Sequence, residues 1–315
     1  MSDKIAVIIN AYKRPQTLAR AIDSVLAQTL TPDEILVVDD DPAGSSEEAV
    51  RAYQGRGVRY HRNEKNLKLG MARNVGMRMT TSPYLAFLDD DDVWFPDKLE
   101  HQMATLARAS DDVAGVTSNF EMLDEGTNRL RERRGPTPTP DNLRYPEIMM
   151  CRYIRPSTII YRRGPIEKIG FNNERYDGFQ NMEVITRLAR EGYRMVNVPE
   201  VLVTCYAGDD NISMLPGRSA KAWAMVLEDF GPDMRDTPLV EEMFRTWLVR
   251  DLLRLERYAE ARRECLRLLR KYPRSLRGWT YLATSNKPGA AILGKIRDLR
   301  MEIRLKRMNS STQSS

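Results

Sequence analysis

Tyr84-Leu-Ala-Phe-Leu88-Asp89-Asp-Asp-Asp92-Val-Trp94-Phe-Pro96 sets a short apolar run directly against four consecutive carboxylates. The run Tyr84–Leu88 is too short for a helix and ends abruptly, so it reads as a buried strand. Two comparable runs precede it: Ile5–Ile9, ending at Asn10, and Ile35–Val38, stopped by Asp39-Asp40-Asp41-Pro42. Val58–His61 is a further short strand. Between these runs the period becomes helical: Leu18, Ile22, Val25 and Leu26 after Pro15, then Ser45–Tyr53, then Leu69–Met79. Strand and helix in alternation predict an α/β fold with a mostly parallel sheet flanked by helices. Ligands of such sheets gather at the carboxyl ends of strands, and here those ends are polar or acidic.

Further along, Gly135–Pro140 (Gly-Pro-Thr-Pro-Thr-Pro) reads as a loop. Ser157–Tyr161 reads as a strand, Asn181–Arg190 as a helix, and Val196–Val203 as a strand interrupted by Pro199. From Leu239 the pattern is helical. Ile292, Ile296, Leu299 and Ile303 form an apolar stripe on a last helix, opposite Lys295, Arg297, Arg300, Arg304 and Arg307. The expected organisation is a catalytic domain over 1–215, a helical region over 216–308, and a disordered tail over 309–315.

Composition narrows the class. At 42% hydrophobic and 30% charged, the 315 residues have enough apolar content for a packed core. Cys151, Cys205 and Cys265 are far apart, forming neither metal-ligand spacing nor a disulfide framework, which points to a reducing, cytoplasmic compartment. His61 and His101 are the only histidines, so a multi-histidine zinc site is excluded. No apolar stretch approaches the roughly 20 residues of a membrane span, and the N-terminus carries no signal-peptide pattern. The net charge of +5 is unevenly spread: Arg250 onward holds 17 Lys and Arg against 6 Asp and Glu, leaving the preceding 249 residues at −6.

Four adjacent carboxylates repel one another unless a cation neutralises them. Hard ions such as Mg²⁺ or Mn²⁺ bind through one or two carboxylates plus substrate phosphates, and a solvated acidic turn is the alternative. An EF-hand is excluded, because Trp94 stands where that loop needs glycine. Gly55-Arg56-Gly57 lacks the third glycine of a dinucleotide fingerprint, and neither a phosphate-binding Gly-Lys-Ser/Thr nor a Gly-x-Ser-x-Gly elbow is present. Asp40 is placed to accept from a nucleobase or ribose, or to cap the following helix. Tyr12 is placed to stack on a base or to pack.

The order Ile5–Pro15, Ala21–Thr29, Glu34–Asp40, Arg62-Asn-Glu-Lys-Asn66 with Ala72-Arg73-Asn74-Val-Gly76, and Phe87–Glu100 resembles glycosyltransferase family 2, over roughly Lys4–Ser213. The resemblance implies a GT-A fold and inverting transfer of a sugar from a nucleotide-diphosphate sugar, with UDP-sugars foremost. It implies that Tyr12 and Asp40 hold the nucleobase with Asn10 beside them, that Asp90 lies near the ribose, and that Asp89 and Asp91 hold Mn²⁺ or Mg²⁺ on the diphosphate. Arg73 becomes a second cation near the phosphates or a structural salt bridge. Arg155–Arg163 matches the acceptor-lining strand. The family's acidic pair, whose Asp is the general base, is here Gln180-Asn181, and an amide cannot take a proton. Glu183 is the candidate base and Asp177 the second; otherwise Glu183 is a solvated helix carboxylate. A family histidine falls near Asp209, which then either ligates the metal or caps a loop.

Gln-x-x-Arg-Trp and membrane spans, the marks of processive synthases, are absent from this sequence, which favours transfer of one sugar to a glycan, lipid-linked or protein hydroxyl. Leu252–Arg270 is similar to one tetratricopeptide-like helical pair. The basic last helix has the form of a peripheral contact with the inner face of a membrane, or of ordinary docking, and nucleic acid ranks below both. Two rivals to transfer remain: a donor-binding protein that has lost it, and a helical adaptor.

Overall fold

The computed structural model describes residues 4–207 and 216–286, and the chain divides into two compact units, 1–211 and 212–315. The first unit runs β1 (Ile5–Ala11), α1 (Pro15–Leu26), β2 (Glu34–Asp39), α2 (Glu47–Arg51), β3 (Val58–Arg62), α3 (Leu69–Arg78), β4 (Tyr84–Asp89) and β5 (Val93–Trp94). It continues with α4 (Lys98–Arg108), β6 (Val113–Asp124), β7 (Leu130–Arg134), β8 (Ile160–Arg162), α5 (Arg163–Lys168), α6 (Gln180–Arg190) and β9 (Arg194–Ala207). One sheet takes them in the order β3-β2-β1-β4-β8-β6-β9-β5, with β7 paired to β6. β3, β2, β1 and β4 are mutually parallel, and β8 lies antiparallel between β4 and β6.

β1 is buried at all seven positions. A central parallel strand covered on both faces has no solvent side, which is why Ile5–Ile9 shows no alternation. Pro15 opens α1, where its missing N–H costs nothing, and Leu18, Ala21, Ile22 and Val25 turn into the core. Gly76 lets α3 close onto β1: a Cβ there would lie 2.5 Å from Ile8 Cγ2. That close seating carries Arg73, on the same helix, to the end of β4.

Parts of the structure depart from the sequence pattern. Pro156–Thr158 is a tight helical turn, and β8 begins only at Ile160. β9 runs through Pro199 as one strand because its register on β6 slips at Ser118–Asn119 and again at Asn119–Phe120. Such irregularities let a sheet absorb a residue without an N–H. The β6–β7 hairpin turns through Glu125-Gly-Thr-Asn-Arg129, where the Asp124 carboxylate accepts from the Thr127 amide.

The second unit comprises α7 (Pro216–Asp229), α8 (Pro238–Arg254), α9 (Tyr258–Lys271) and α10 (Leu276–Ala283). Ala220, Leu248, Val249, Leu252, Ala261 and Cys265 form its core. Glu241, 2% exposed, accepts from Arg245, Lys271 and Tyr272. The apolar stripe of 292–303, the basic last helix, the 309–315 tail and Asp209 lie outside the described residues. Among the described residues no helix is long and apolar enough to cross a membrane.

Lys98 is fully buried, with Nζ 2.6 Å from Gln102 Oε1 and 4.0 Å from the Trp94 ring centroid. The ring favours the ammonium by about 1–2 kcal/mol, whereas burying an ion costs several. Burial wins and holds the Lys98 pKa well below its usual value. Below about pH 10 the unfolded chain therefore binds the extra proton, and this group makes stability rise with pH. Relative to wild type, Lys98→Met should gain most at pH 7, offset by the buried Gln102 Oε1 left without its donor, and the gain should close toward pH 10 by at most about 1.4 kcal/mol per unit. Urea denaturation at pH 7 and 9.5 measures both; a gain independent of pH would contradict a neutral buried lysine.

Candidate active site

The parallel register assembles the site. Asn10 on β1 pairs with Asp89 on β4 and with Val38 on β2, while Ala11 pairs with Asp39. Asn10, Asp39-Asp40 and Asp89–Asp92 therefore share one edge of the sheet. Asn10 is 6% exposed, and neither its amide nitrogen nor its oxygen has a partner among the described residues. A buried amide left this way costs roughly 1–3 kcal/mol until a ligand or water satisfies it.

Asp39 and Asp40 do different work. The Asp39 carboxylate is fully buried and accepts from the amides of Asp41 and Ser46 and from the Tyr60 hydroxyl. It fixes the loop. Asp40 Oδ1 accepts from Asn63 Nδ2 at 2.9 Å and the Leu67 amide at 2.8 Å. Those two bonds fold the 63–68 segment over the end of β2. Tyr12 is 37% exposed, and its amide donates to Asp90 Oδ2 at 2.9 Å.

Arginines surround the acidic run. Arg14 pairs with Asp90 at 3.2 Å and also with Asp91. Arg20 donates to the Asp91 carbonyl and stacks 3.7 Å from the Tyr206 ring centroid. Arg73, 3% exposed, joins Asp89 Oδ1 at 2.8 Å to Asn181 Oδ1 at 3.0 Å. Ser157 donates to Asp92 at 2.5 Å and accepts from the Asp89 amide. Even so, burial, aided by the charges of Asp91 and Asp89 and opposed by Arg14, pushes Asp90 up to about 7. Burial and the same two neighbours push Asp92 up to about 7, against Arg155 and the Ser157 hydroxyl. Burial and Asp89 raise Asp91 as well.

A divalent cation fits this donor set. The ligands on offer are carboxylate oxygens whose charged forms are disfavoured until a cation arrives, as hard ions require. Among the described residues no three His, Cys, Asp or Glu side chains converge to hold a metal. A cation here therefore draws its remaining ligands from phosphate or water, the usual arrangement for Mg²⁺.

Glu183 stands apart. It is 1% exposed, and Arg187 meets both its oxygens, at 2.5 and 2.9 Å. Arg187 in turn donates to the carbonyls of Ile169 and Phe171. The carboxylate is thus a buried staple between α6 and the 169–171 turn, which corrects its reading as a solvated group. Asp177 lies in the turn before α6, 20% exposed, with Lys68 Nζ at 2.7 Å. Gly178 and Phe179, with φ of 134° and 64°, complete that turn in the left-handed region. A cavity of about 20 Å³ lies between α3 and α6, with Arg73, Phe87, Tyr161, Asn172 and Asn181 among its lining.

The α/β sheet with its flanking helices has the GT-A-like fold of solved glycosyltransferases. Residues 6–170 match the model of the family described as Glycosyl transferase family 2, and the chain belongs to that family. An uncharacterized glycosyltransferase of Rickettsia felis is 34% identical over 128 residues, 40% of this chain but only 21% of that protein's length. The amylovoran biosynthesis glycosyltransferase AmsE of Erwinia amylovora is 26% identical over 217 residues, 67% of this chain and 79% of AmsE. Among solved structures, the mannosyltransferase PcManGT of Pyrobaculum calidifontis, in complex with GDP-Man and Mn²⁺, is similar in fold. Its TM-score is 0.56 at 17% identity, covering 95% of this chain and 80% of that one.

Removing the Glu183 carboxylate leaves the Arg187 charge half-buried and short of a partner. Glu183→Ala should cost about 2–3 kcal/mol in urea denaturation, and Arg187→Met in the same background should recover part of it. Strictly additive losses would dissolve the staple.

Proposed function

We propose that this chain transfers a single sugar, with inversion, from a nucleotide-diphosphate sugar to a hydroxyl on a glycan, a lipid-linked saccharide or a protein. One observation carries the reading: the register that sets the unsatisfied Asn10 amide beside Asp89, with Asp90–Asp92 and Asp40 on the same sheet edge. Family membership and the nucleotide sugar bound by the similar Pyrobaculum enzyme support it. Asn10, Tyr12 and Asp40 hold the nucleoside, UDP foremost, and Asp90 the ribose. Asp89 and Asp91 hold Mn²⁺ or Mg²⁺. When bound, the ion offsets the charge that develops on the leaving diphosphate. Arg73 orients Asp89.

The acceptor hydroxyl needs a base that reaches solvent. Asn181 has no basic oxygen at this pH, and Glu183 is closed off by Arg187. Asp177 remains: partly exposed, in the turn leading into α6, and paired with Lys68. The same loop connects it to the nucleoside end, since Leu67, beside Lys68, donates to Asp40.

Calorimetric titration of UDP and GDP, each with and without Mn²⁺, tests the reading, followed by hydrolysis of the corresponding nucleotide sugars. Metal-dependent UDP binding is the expected result, abolished by Asp91→Ala. A folded sample that binds neither nucleotide overturns it. Binding without hydrolysis would favour a donor-binding protein that has lost transfer, the alternative to which Asn181 points.

Asp177→Asn should lower turnover about 100-fold or more while leaving Mn²⁺-dependent UDP binding intact. Glu183→Gln should retain turnover in the fraction that folds. The reverse pattern would return the base role to Glu183.

A further inference from the structure

Arg14 differs from the other arginines around the acidic run. Arg73 is 3% exposed and fixed by two partners on rigid elements. Arg20 is stacked on Tyr206 and bonded to a backbone carbonyl rather than to a carboxylate. Arg14 sits in the connection between β1 and α1, its side chain 49% exposed, with its guanidinium on both Asp90 and Asp91. Its neighbour Lys13 has a φ of 58°, in the left-handed region that non-glycine residues rarely adopt. Such a segment stores local strain and is a natural pivot.

The Asp91 oxygen that Arg14 occupies belongs to a carboxylate assigned above to the divalent cation. A guanidinium and a divalent ion on that carboxylate repel each other and compete for its lone pairs, so each weakens the other's hold. Two carboxylates already paired with an arginine offer a metal little. A diphosphate changes that balance by giving the guanidinium a second anionic partner of bidentate geometry.

We propose that Arg14 is a resident counter-ion that keeps divalent metal out of the free protein and makes metal binding conditional on the nucleotide diphosphate. The inference rests on the donor-site reading above and adds an order of events to it. In the absence of nucleotide, Arg14 neutralises Asp90 and Asp91. When the diphosphate arrives, the arginine transfers its hydrogen bonds to phosphate oxygens and Asp91 becomes available to the ion. Because linkage is reciprocal, metal tightens nucleotide by the same factor that nucleotide tightens metal.

The test is titration of the full chain with Mn²⁺ alone and then with Mn²⁺ in the presence of saturating UDP, read by calorimetry and by the electron paramagnetic resonance signal of free Mn²⁺. Wild type, Arg14→Ala and Arg14→Lys are compared, with Asp91→Ala as the control that loses Mn²⁺. Arg14→Ala should bind Mn²⁺ alone at least about tenfold more tightly than wild type, and UDP should tighten Mn²⁺ about tenfold less. Arg14→Lys, which is a compact point charge rather than a fork, should fall between them. If Arg14→Ala binds Mn²⁺ alone no more tightly than wild type, yet still binds Mn²⁺ with UDP, the proposal falls and the donor site stands. If wild type binds no Mn²⁺ even with UDP, the donor-site reading itself falls and takes the proposal with it.

Discussion

Four carboxylates in succession at the end of a buried strand cannot all hold their charge unless cations are brought to them. The first unit supplies those cations from separate places in the chain. Arg14 comes from the β1–α1 connection, Arg20 from α1 and Arg73 from α3. Arg155, in the turn before β8, lowers the Asp92 pKa through its charge. Each arginine is delivered by a different element, so packing the layers and neutralising the acidic run are one constraint. The close seating of α3, permitted by Gly76, is where that constraint is tightest.

The antiparallel half of the sheet is tied to the same run. Asp92 accepts from Ser157, whose carbonyl accepts from the Trp94 indole at 2.8 Å. The Thr158 carbonyl beside it accepts from Gln102, which holds the buried Lys98. A chain of polar contacts therefore runs from the acidic edge into the core beneath α4. Satisfied networks of this kind are rigid in a low dielectric, because leaving any member unpaired is costly. The same network explains why Ser157 turns where the apolar pattern suggested a strand: its backbone and hydroxyl are both committed to Trp94 and the carboxylates.

The parallel half was legible from run length and strand-end chemistry, because a doubly covered strand must be continuously apolar and must stop where polar groups meet ligand. What stayed hidden depends on long-range partners. Arg14 lies 77 residues from Asp91, and nothing in Tyr12-Lys-Arg-Pro15 announces that pairing. β8 shows in the pattern, but three residues early, at Ser157. Glu183 is a different case. It stands four residues before Arg187, a spacing that by itself signals a helix ion pair.

Asn181 fits the charge balance that surrounds it. Arg73 carries one positive charge, and its fork reaches both Asp89 and residue 181. A second carboxylate at 181 would divide that charge between two anions and leave Asp89 less neutralised. The amide instead accepts one hydrogen bond without adding charge, so the Arg73 charge is committed to Asp89. Arg14 covers the next two carboxylates, Asp90 and Asp91.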